Sequence, residues 1–306
     1  MRKPAGWFKL YRGPMSKRIA IFYFSGTGNT KHVSGLLKDE LTACGASVDL
    51  FSMADLLKSA TAPNTDAYDM VGLSHPVHGW GVPRIVYQFI KSLPLAHDKP
   101  AFLFKTAAGR EGLNNGTSRP VVVALNKKGY RVFYDRAFMM PSNWLFGYPD
   151  DFSRQLCNAA AAKVKNMAAA VLAEKERAIR CRPVISWLAY ALWLFENFGS
   201  HFFGRDLHAT KKCTRCLKCV RECPMVNISA RGRSVRFGWD CVWCMHCVYS
   251  CPERAIEPWL EKFVVVKGGY DLKKIINDPG LKGEFVSKDT KGQFRQQLEY
   301  LSDPEM

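Results

Sequence analysis

The chain has 306 residues, 47% of them apolar, which is enough for two domains and a real buried core. Its formal charge of +17 invites a nucleic-acid partner, but the basic residues are spread through every segment. No helix-turn-helix, zinc-finger or RNA-module pattern accompanies them, so the charge points to acidic proteins or anionic lipid headgroups rather than to nucleic acid.

Residues 1–17 form a basic N-terminal extension that lacks the apolar core of a secretory signal, and a cytoplasmic address is expected. Arg18 to Phe24 (RIAIFYF) is a compact apolar run suited to a buried parallel strand. A helix is expected from Asn29 to Gly45, then strands at Ser47 to Phe51 and Tyr68 to Ser74, and a helix from Arg84 to Leu93 after Pro83. A fourth strand at Ala101 to Thr106, a helix over Ser118 to Lys128, and a fifth strand at Tyr130 to Met139 follow. An alanine-rich helix is expected over Asp151 to Arg182. Strands alternating with helices in this way predict a doubly wound parallel sheet over residues 18–182.

Ser25, Gly26, Thr27, Gly28, Asn29 and Thr30 stand between the first strand and the first helix. A helix N-terminus offers unpaired amides and a positive dipole end, glycines let the backbone approach a ligand, and the hydroxyls of Ser25, Thr27 and Thr30 add donors. Walker spacing is absent, and Lys31 stands where a dinucleotide fingerprint needs its third glycine; Asp49, where that fingerprint's ribose acid would fall, lies inside the second strand. One monophosphate is the better fit. The SGTGNT loop in this setting resembles the flavodoxin fold, and the resemblance implies that the loop holds the phosphate of FMN.

The remaining flavin contacts are expected from the loops after the third and fourth strands. The first, SHPVHGWGVPR, offers Pro76, His78, Gly79 and Trp80, with Trp80 as a platform for the ring against the plainer reading that it packs on Pro83. His75 and His78 could donate to the flavin or relay protons, but in a Pro/Gly-rich loop such histidines are more often simple turn residues. The second loop, TAAGREGLNNG, has no aromatic residue, so the amides of Ala107, Ala108 and Gly109 are its candidate contacts to the pyrimidine edge, with Thr106 beside them in the flavin site.

Residues 183–204 read as a helix apolar nearly all round, whose uninterrupted run is too short for a bilayer span. It is expected to clamp two domains, with peripheral membrane contact as the weaker alternative.

Cys-x2-Cys-x2-Cys-x3-Cys-Pro then occurs twice, as CTRCLKCVRECP and CVWCMHCVYSCP. Three thiolates from one tight loop suit one face of an iron-sulfur cubane, and in a two-cluster arrangement the fourth cysteine ligates the other cluster. Cys213, Cys216, Cys219 and Cys251 are therefore assigned to one [4Fe-4S] centre, and Cys241, Cys244, Cys247 and Cys223 to a second. Zinc is the weaker reading, because a third cysteine in each motif exceeds tetrahedral need, and nothing points to the oxidising compartment that disulfides require. Three of the eleven cysteines, Cys44, Cys157 and Cys181, lie apart from both motifs.

Residues 205–257 resemble bacterial-type two-cluster ferredoxins. With the SGTGNT and HPVHGWGVP loops and the MPSNW stretch at Met140 to Trp144, residues 18–257 resemble the EFR1 family of flavodoxin-ferredoxin fusions. The expected fold is a flavodoxin-like doubly wound five-stranded parallel sheet followed by a small α+β 2[4Fe-4S] ferredoxin-like domain, with residues 258–306 as a C-terminal extension that wraps one of the two. The expected function is electron relay between FMN and two [4Fe-4S] clusters, serving redox partner proteins. The alternatives are an FMN-dependent reductase or oxidase of a quinone, porphyrinogen or other small acceptor, and an iron-sulfur redox sensor. No catalytic residue is legible.

Overall fold

A computed structural model describes residues 16–79, 81–109, 114–177, 183–232 and 234–303. Its centre is a five-stranded sheet of β1 (Arg18–Tyr23), β2 (Ser47–Ser52), β3 (Met70–Pro76), β4 (Lys99–Ala107) and β5 (Tyr130–Met139). The strands run in the order β2-β1-β3-β4-β5 and every pair is parallel. This is the flavodoxin-like doubly wound order, with its switch point between β1 and β3.

The first crossover shows why the sequence folds this way. In α1 (Asn29–Ala43), Val33, Leu37 and Leu41 recur four apart and are all fully buried against the sheet. Gly45 ends the helix in the left-handed region (φ 90), where its amide donates to the Thr42 carbonyl at 2.9 Å and that of Ala46 to Leu41 at 3.0 Å. These two bonds satisfy carbonyls that the last turn would otherwise leave open, and a side chain at position 45 would resist that geometry. One short helix stands beyond the expected elements: α2 (Met53–Lys58) starts where Ser52 Oγ accepts the Asp55 amide, and Ser-x-x-Asp is the local signal for it.

Helices α3 (Arg84–Ser92) and α4 (Arg119–Asn126) cover one sheet face with Ile85, Val86, Phe89, Val121 and Leu125. The other face takes α1 and α5 (Asp150–Leu172), through Val164, Met167 and Val171. The expected helix to Arg182 is corrected here. Glu174 turns into the left-handed region (φ 49), and the chain returns to the sheet, where the Arg177 amide donates to Phe133 and the Arg177 carbonyl accepts from Asp135. Those bonds cover the outer edge of β5. Residues 178–182, like the extension over 1–15, lie outside the described residues.

A single helix, α6 (Pro183–Asp206), carries the chain to the cysteine motifs. None of the helices among the described residues is long and apolar enough to cross a membrane. After it, β6 (Leu207–Ala209) pairs antiparallel with β9 (Ile256–Pro258), and β7 (Ile228–Arg231) with β8 (Ser234–Phe237). The motifs themselves hold α7 (Lys218–Glu222) and α8 (His246–Tyr249). Phe203, Leu207, Ile228, Val235, Phe237, Met245, Val248 and Ile256 make a small separate core.

The C-terminal stretch packs on the sheet side. Leu272, in α9 (Leu272–Asn277), joins the core beneath α1. Tyr300, in α10 (Leu298–Ser302), is fully buried and its hydroxyl accepts the Met139 amide at 2.9 Å. Gln155 exchanges two hydrogen bonds of 2.8 Å with the Val286 backbone.

Candidate cofactor sites

The loop after β1 leaves its amides open. As first-turn residues of α1, Asn29 and Thr30 have no intrahelical acceptor for their N–H groups. Only the Gly28 amide is used, donating to Ser25 Oγ at 3.2 Å, and among the described residues those of Gly26, Thr27, Asn29 and Thr30 enter no hydrogen bond. Gly26, Asn29 and Thr30 are nonetheless buried, and no acidic residue stands in the first turn of α1. Buried unpaired donors at a helix N-terminus without a competing carboxylate fit a phosphate group.

The side chains of the loop are held from several directions. Thr30 Oγ1 and Thr106 Oγ1 lie 2.7 Å apart, Asn29 Nδ2 donates to the Pro141 carbonyl at 2.9 Å, and Asn143 Nδ2 donates to Thr27 Oγ1. Tyr270 donates to Asn29 Oδ1 from the C-terminal stretch, and burial raises its hydroxyl well above the ordinary tyrosine range. Nothing in the sequence announces this bond, because a contact between residues 29 and 270 leaves no local pattern.

Among the expected ring contacts, Trp80 lies outside the described residues. Its neighbours form a tight turn in which the His78 and Gly81 backbones exchange two bonds, with Gly79 left-handed (φ 44). His78 does not stand free as a flavin donor: Nδ1 donates to the Val242 carbonyl at 2.9 Å. Burial lowers its pKa to about 4. His75 sits fully buried in β3, likewise lowered to about 4 by burial, with Nδ1 donating to the Pro76 carbonyl. Both imidazoles are therefore neutral near pH 7 and supply no charge to a ring. In the loop after β4, the Ala107 and Ala108 carbonyls accept from the Met140 amide and the Tyr148 hydroxyl, each at 2.8 Å. Gly109 accepts from Asn114 at 3.2 Å, and the amides of Ala108 and Gly109 point to no partner among the described residues.

The eight motif cysteines fall into two neighbourhoods. Burial raises the Cys219 thiol, and Cys213, Cys216 and Cys251 add to it. Burial pushes Cys241 up to about 12, with Cys223 adding, and raises Cys244 and Cys247 further, with Cys241 and Cys223 among the neighbours of each. Thiols buried together resist ionisation until a cationic centre offsets the charge. Among the described residues no three His, Cys, Asp or Glu side chains converge as one ion needs, so each quartet is a looser grouping than a single-ion site.

The backbone repeats with the cysteines. Arg215 and Trp243, Leu217 and Met245, and Val226 and Arg254 are all left-handed and fall at the same offset in each motif. Six side-chain-bearing residues in that region, each costing about 1–2 kcal/mol, mark a conformation that the loop needs. Successive turns of this kind point N–H groups inward as an anion-binding nest. Three amides donate to sulfur: Asn227 to Cys223 at 3.3 Å, Trp243 to Cys241 at 3.4 Å and Ala255 to Cys251 at 3.3 Å. The buried indole N–H groups of Trp144 and Trp243, whose rings meet edge to face at 5.3 Å, have no acceptor among the described residues. Cys157, by contrast, is a buried thiol raised to about 12 by burial, and Cys44 is exposed. Cys181 lies outside the described residues.

The second cysteine loop sits directly on the phosphate loop. A β-carbon added to Gly26 would fall 2.1 Å from the Cys244 carbonyl oxygen. His246 Nδ1 donates to the Gly26 carbonyl at 2.8 Å and Nε2 reaches Glu222 at 2.8 Å. Val242 and Cys244 are buried with the sheet-face cluster of α3 and α4. Arg84, at the start of α3, donates to the Cys241 carbonyl at 2.7 Å and to His201 of α6. Helix α6 meets both sides: Trp193 Nε1 donates to Val82 at 3.0 Å, and a β-carbon on Gly204 would fall 2.6 Å from Cys241 Cβ.

Beside these loops lies a cleft of about 740 Å³, lined by Phe146, Tyr148, Phe263 and Tyr270 together with Arg254, Lys262, Lys267 and Lys274.

Residues 20–121 match the family model for a flavodoxin domain, and residues 205–252 that for a 4Fe-4S dicluster domain. None of the curated proteins matches the chain. Among solved structures, the chain is similar to the flavodoxin of Streptococcus pneumoniae TIGR4 at 15% identity over 51% of this chain and 99% of that one, with a TM-score of 0.38. Flavodoxin 2 of Bacillus cereus is 20% identical over 51% and 99%, at 0.35. Rubredoxin oxygen oxidoreductase of Desulfovibrio gigas is 15% identical over 51% of this chain and 36% of its own, at 0.36. The chain thus carries a flavodoxin domain and a 4Fe-4S dicluster domain, the equipment of electron transfer with FMN and iron-sulfur clusters.

Proposed function

We propose that this protein relays electrons between one FMN and two [4Fe-4S] clusters held in the same chain. The observation that carries the reading is the packing of the Cys244 backbone against Gly26, which leaves no room between the two loops for even a methyl group. FMN accepts one or two electrons and a cubane passes one at a time, so the pair converts between the two modes. Ser25 to Thr30 would hold the phosphate with the open amides of Gly26, Thr27, Asn29 and Thr30, while Asn143 and Tyr270 fix the Thr27 and Asn29 side chains. Pro76, His78 and Gly79 on one side, and Thr106, Ala107, Ala108 and Gly109 on the other, would border the ring. Cys213, Cys216, Cys219 and Cys251 would hold one cluster, and Cys241, Cys244, Cys247 and Cys223 the other. Arg84, His78 and His246 keep the second cysteine loop seated on the flavin side.

Anaerobic reconstitution tests this reading. About eight iron, eight sulfide and one FMN per chain are expected. Cys219→Ser is expected to lose about half of the iron while the flavin stays; retention of all the iron would refute the ligand assignment.

One observation favours a second reading, in which the chain reduces a small acceptor. The 740 Å³ cleft borders Tyr148, which bonds the Ala108 carbonyl, and its lining gathers four basic side chains against two carboxylates, Asp150 and Asp271, among aromatic ones. An anionic quinone, 9,10-anthraquinone-2-sulfonate, suits that lining. Lys267→Glu is expected to raise its KM about tenfold with kcat little changed, since like charge would repel the sulfonate. An unaltered KM would remove the cleft from the account.

A further inference from the structure

The two cysteine loops share a backbone but not a surface, and the difference gives the relay a direction in space. The loop of Cys241, Cys244 and Cys247 faces inward: Cys244 is buried, and its carbonyl, the Val242 carbonyl and His246 all touch the flavodoxin part. The loop of Cys213, Cys216 and Cys219 faces outward, and the Cys216 thiol is exposed. Residues at equivalent offsets diverge in the same sense. Lys211, Lys212, Arg215, Lys218 and Arg221 in the outer loop correspond to Trp239, Asp240, Trp243, His246 and Tyr249 in the inner one.

That correspondence separates two explanations of the cations. Were they required to fold a loop of this shape, or to balance the charge of what the loop holds, the inner copy would carry the same set. It has the same left-handed residues and the same cysteines, yet within the loop its counterparts are aromatic, acidic or imidazole. The cations that reach it come from outside the loop: Arg84 of α3, on the Cys241 carbonyl, and Arg205 of α6, 5.5 Å over the Trp239 ring. Lys211, Lys212, Arg215 and Arg221 are exposed, and Lys218 is half-buried. Glu222, the acid among them, is engaged by His246.

We infer that the outer loop, with Lys211, Lys212, Arg215, Lys218 and Arg221 around exposed Cys216, is the docking face for an acidic redox protein. The inference rests on the relay reading. A basic collar around the accessible edge steers an anionic surface to the point of shortest approach and disfavours cationic ones. Such steering weakens as salt rises, because the charges are exposed.

The test uses the reconstituted holoprotein, reduced and mixed by stopped flow with small one-electron oxidants of opposite charge. Hexacyanoferrate(III) is the trianion and tris(1,10-phenanthroline)cobalt(III) the cation; each takes one electron, leaving iron(II) or cobalt(II) and an oxidised centre. The Lys211→Glu/Lys212→Glu/Arg215→Glu variant is compared with a control of equal charge change, Lys127→Glu/Lys165→Glu/Lys175→Glu, on exposed positions of the flavodoxin part. The expected result is a rate with hexacyanoferrate(III) about tenfold lower in the first variant and little altered in the control, the loss disappearing at high salt. The rate with the cobalt complex is expected to rise. Binding is read separately with hexacyanochromate(III), a redox-inert paramagnetic trianion. It should speed electron-spin relaxation of one cluster signal, and Cys219→Ser should abolish that effect. Equal responses of the two variants, or relaxation that survives Cys219→Ser, would overturn the docking face alone. A protein that takes up iron but no FMN would overturn the relay and leave the collar standing; one that takes up no iron overturns both.

Discussion

Gly26→Ala is expected to loosen the two cofactor-bearing parts from each other and to weaken FMN binding in the same step. Its β-carbon would lie 2.1 Å from the Cys244 carbonyl oxygen and 2.9 Å from the carbonyl carbon. Both are backbone atoms, so no rotamer change relieves the overlap, and the cysteine loop or the phosphate loop must shift. Overpacking of this kind costs about 1–3 kcal/mol. Expressed as flavin affinity, that is about a 5- to 150-fold loss. Flavin fluorescence titration and thermal unfolding of the reconstituted protein would measure it. Gly35→Ala is the matched control: the same residue type in α1, with nothing within 4 Å of the added carbon. There, lower backbone entropy in the unfolded chain should raise stability by about 0.5–1 kcal/mol. If the two alanines behave alike, the close seating of the loops is not what holds the parts together.

The second large effect lies in the sheet. Lys105 Nζ, on β4, donates to Ser118 Oγ at 2.6 Å and to the Asp135 carboxylate on β5 at 3.1 Å. The side chains are 0% and 7% exposed. Lys105→Met keeps the length of the side chain and removes its charge, stranding a carboxylate in the interior. Breaking a buried pair from one side costs about 3–5 kcal/mol, whereas replacing both partners by apolar groups is often close to neutral. Urea unfolding should therefore show a large loss for Lys105→Met and recovery of most of it in Lys105→Met/Asp135→Leu. A single variant within about 0.5 kcal/mol of the parent would show that solvent reaches the pair after all.

These cases show what kind of information the sequence holds. The β1 run, the hydroxyl-glycine loop and the Val33, Leu37, Leu41 spacing are local, and they are read directly as strand, phosphate loop and helix. The bounds of β5, Tyr130 to Met139, are equally legible because apolar and β-branched residues stop where the Met-Pro pair begins. The doubled cysteine motif announces its doubled backbone. The alanine-rich run after Asp150 misleads beyond Leu172, since helix propensity there is overridden by the pairing of Arg177 with Phe133 and Asp135, which no local pattern displays. The hands on the phosphate loop are hidden for the same reason. Asn143, His246 and Tyr270 arrive from 116, 220 and 241 residues away along the chain.

Leu272 completes the hydrophobic layer under α1, and Tyr300 caps the final peptide of β5, so the sheet built from residues 18–139 closes only when residues more than 130 positions further along the chain arrive. The cysteine motifs lie between the two. A nascent chain therefore exposes both cysteine loops before its sheet is sealed, and contacts of such long sequence separation form slowly. Assembly is in this sense a loop drawn shut from its far end, with the metal-binding segment in the middle of the drawstring rather than appended to a finished module.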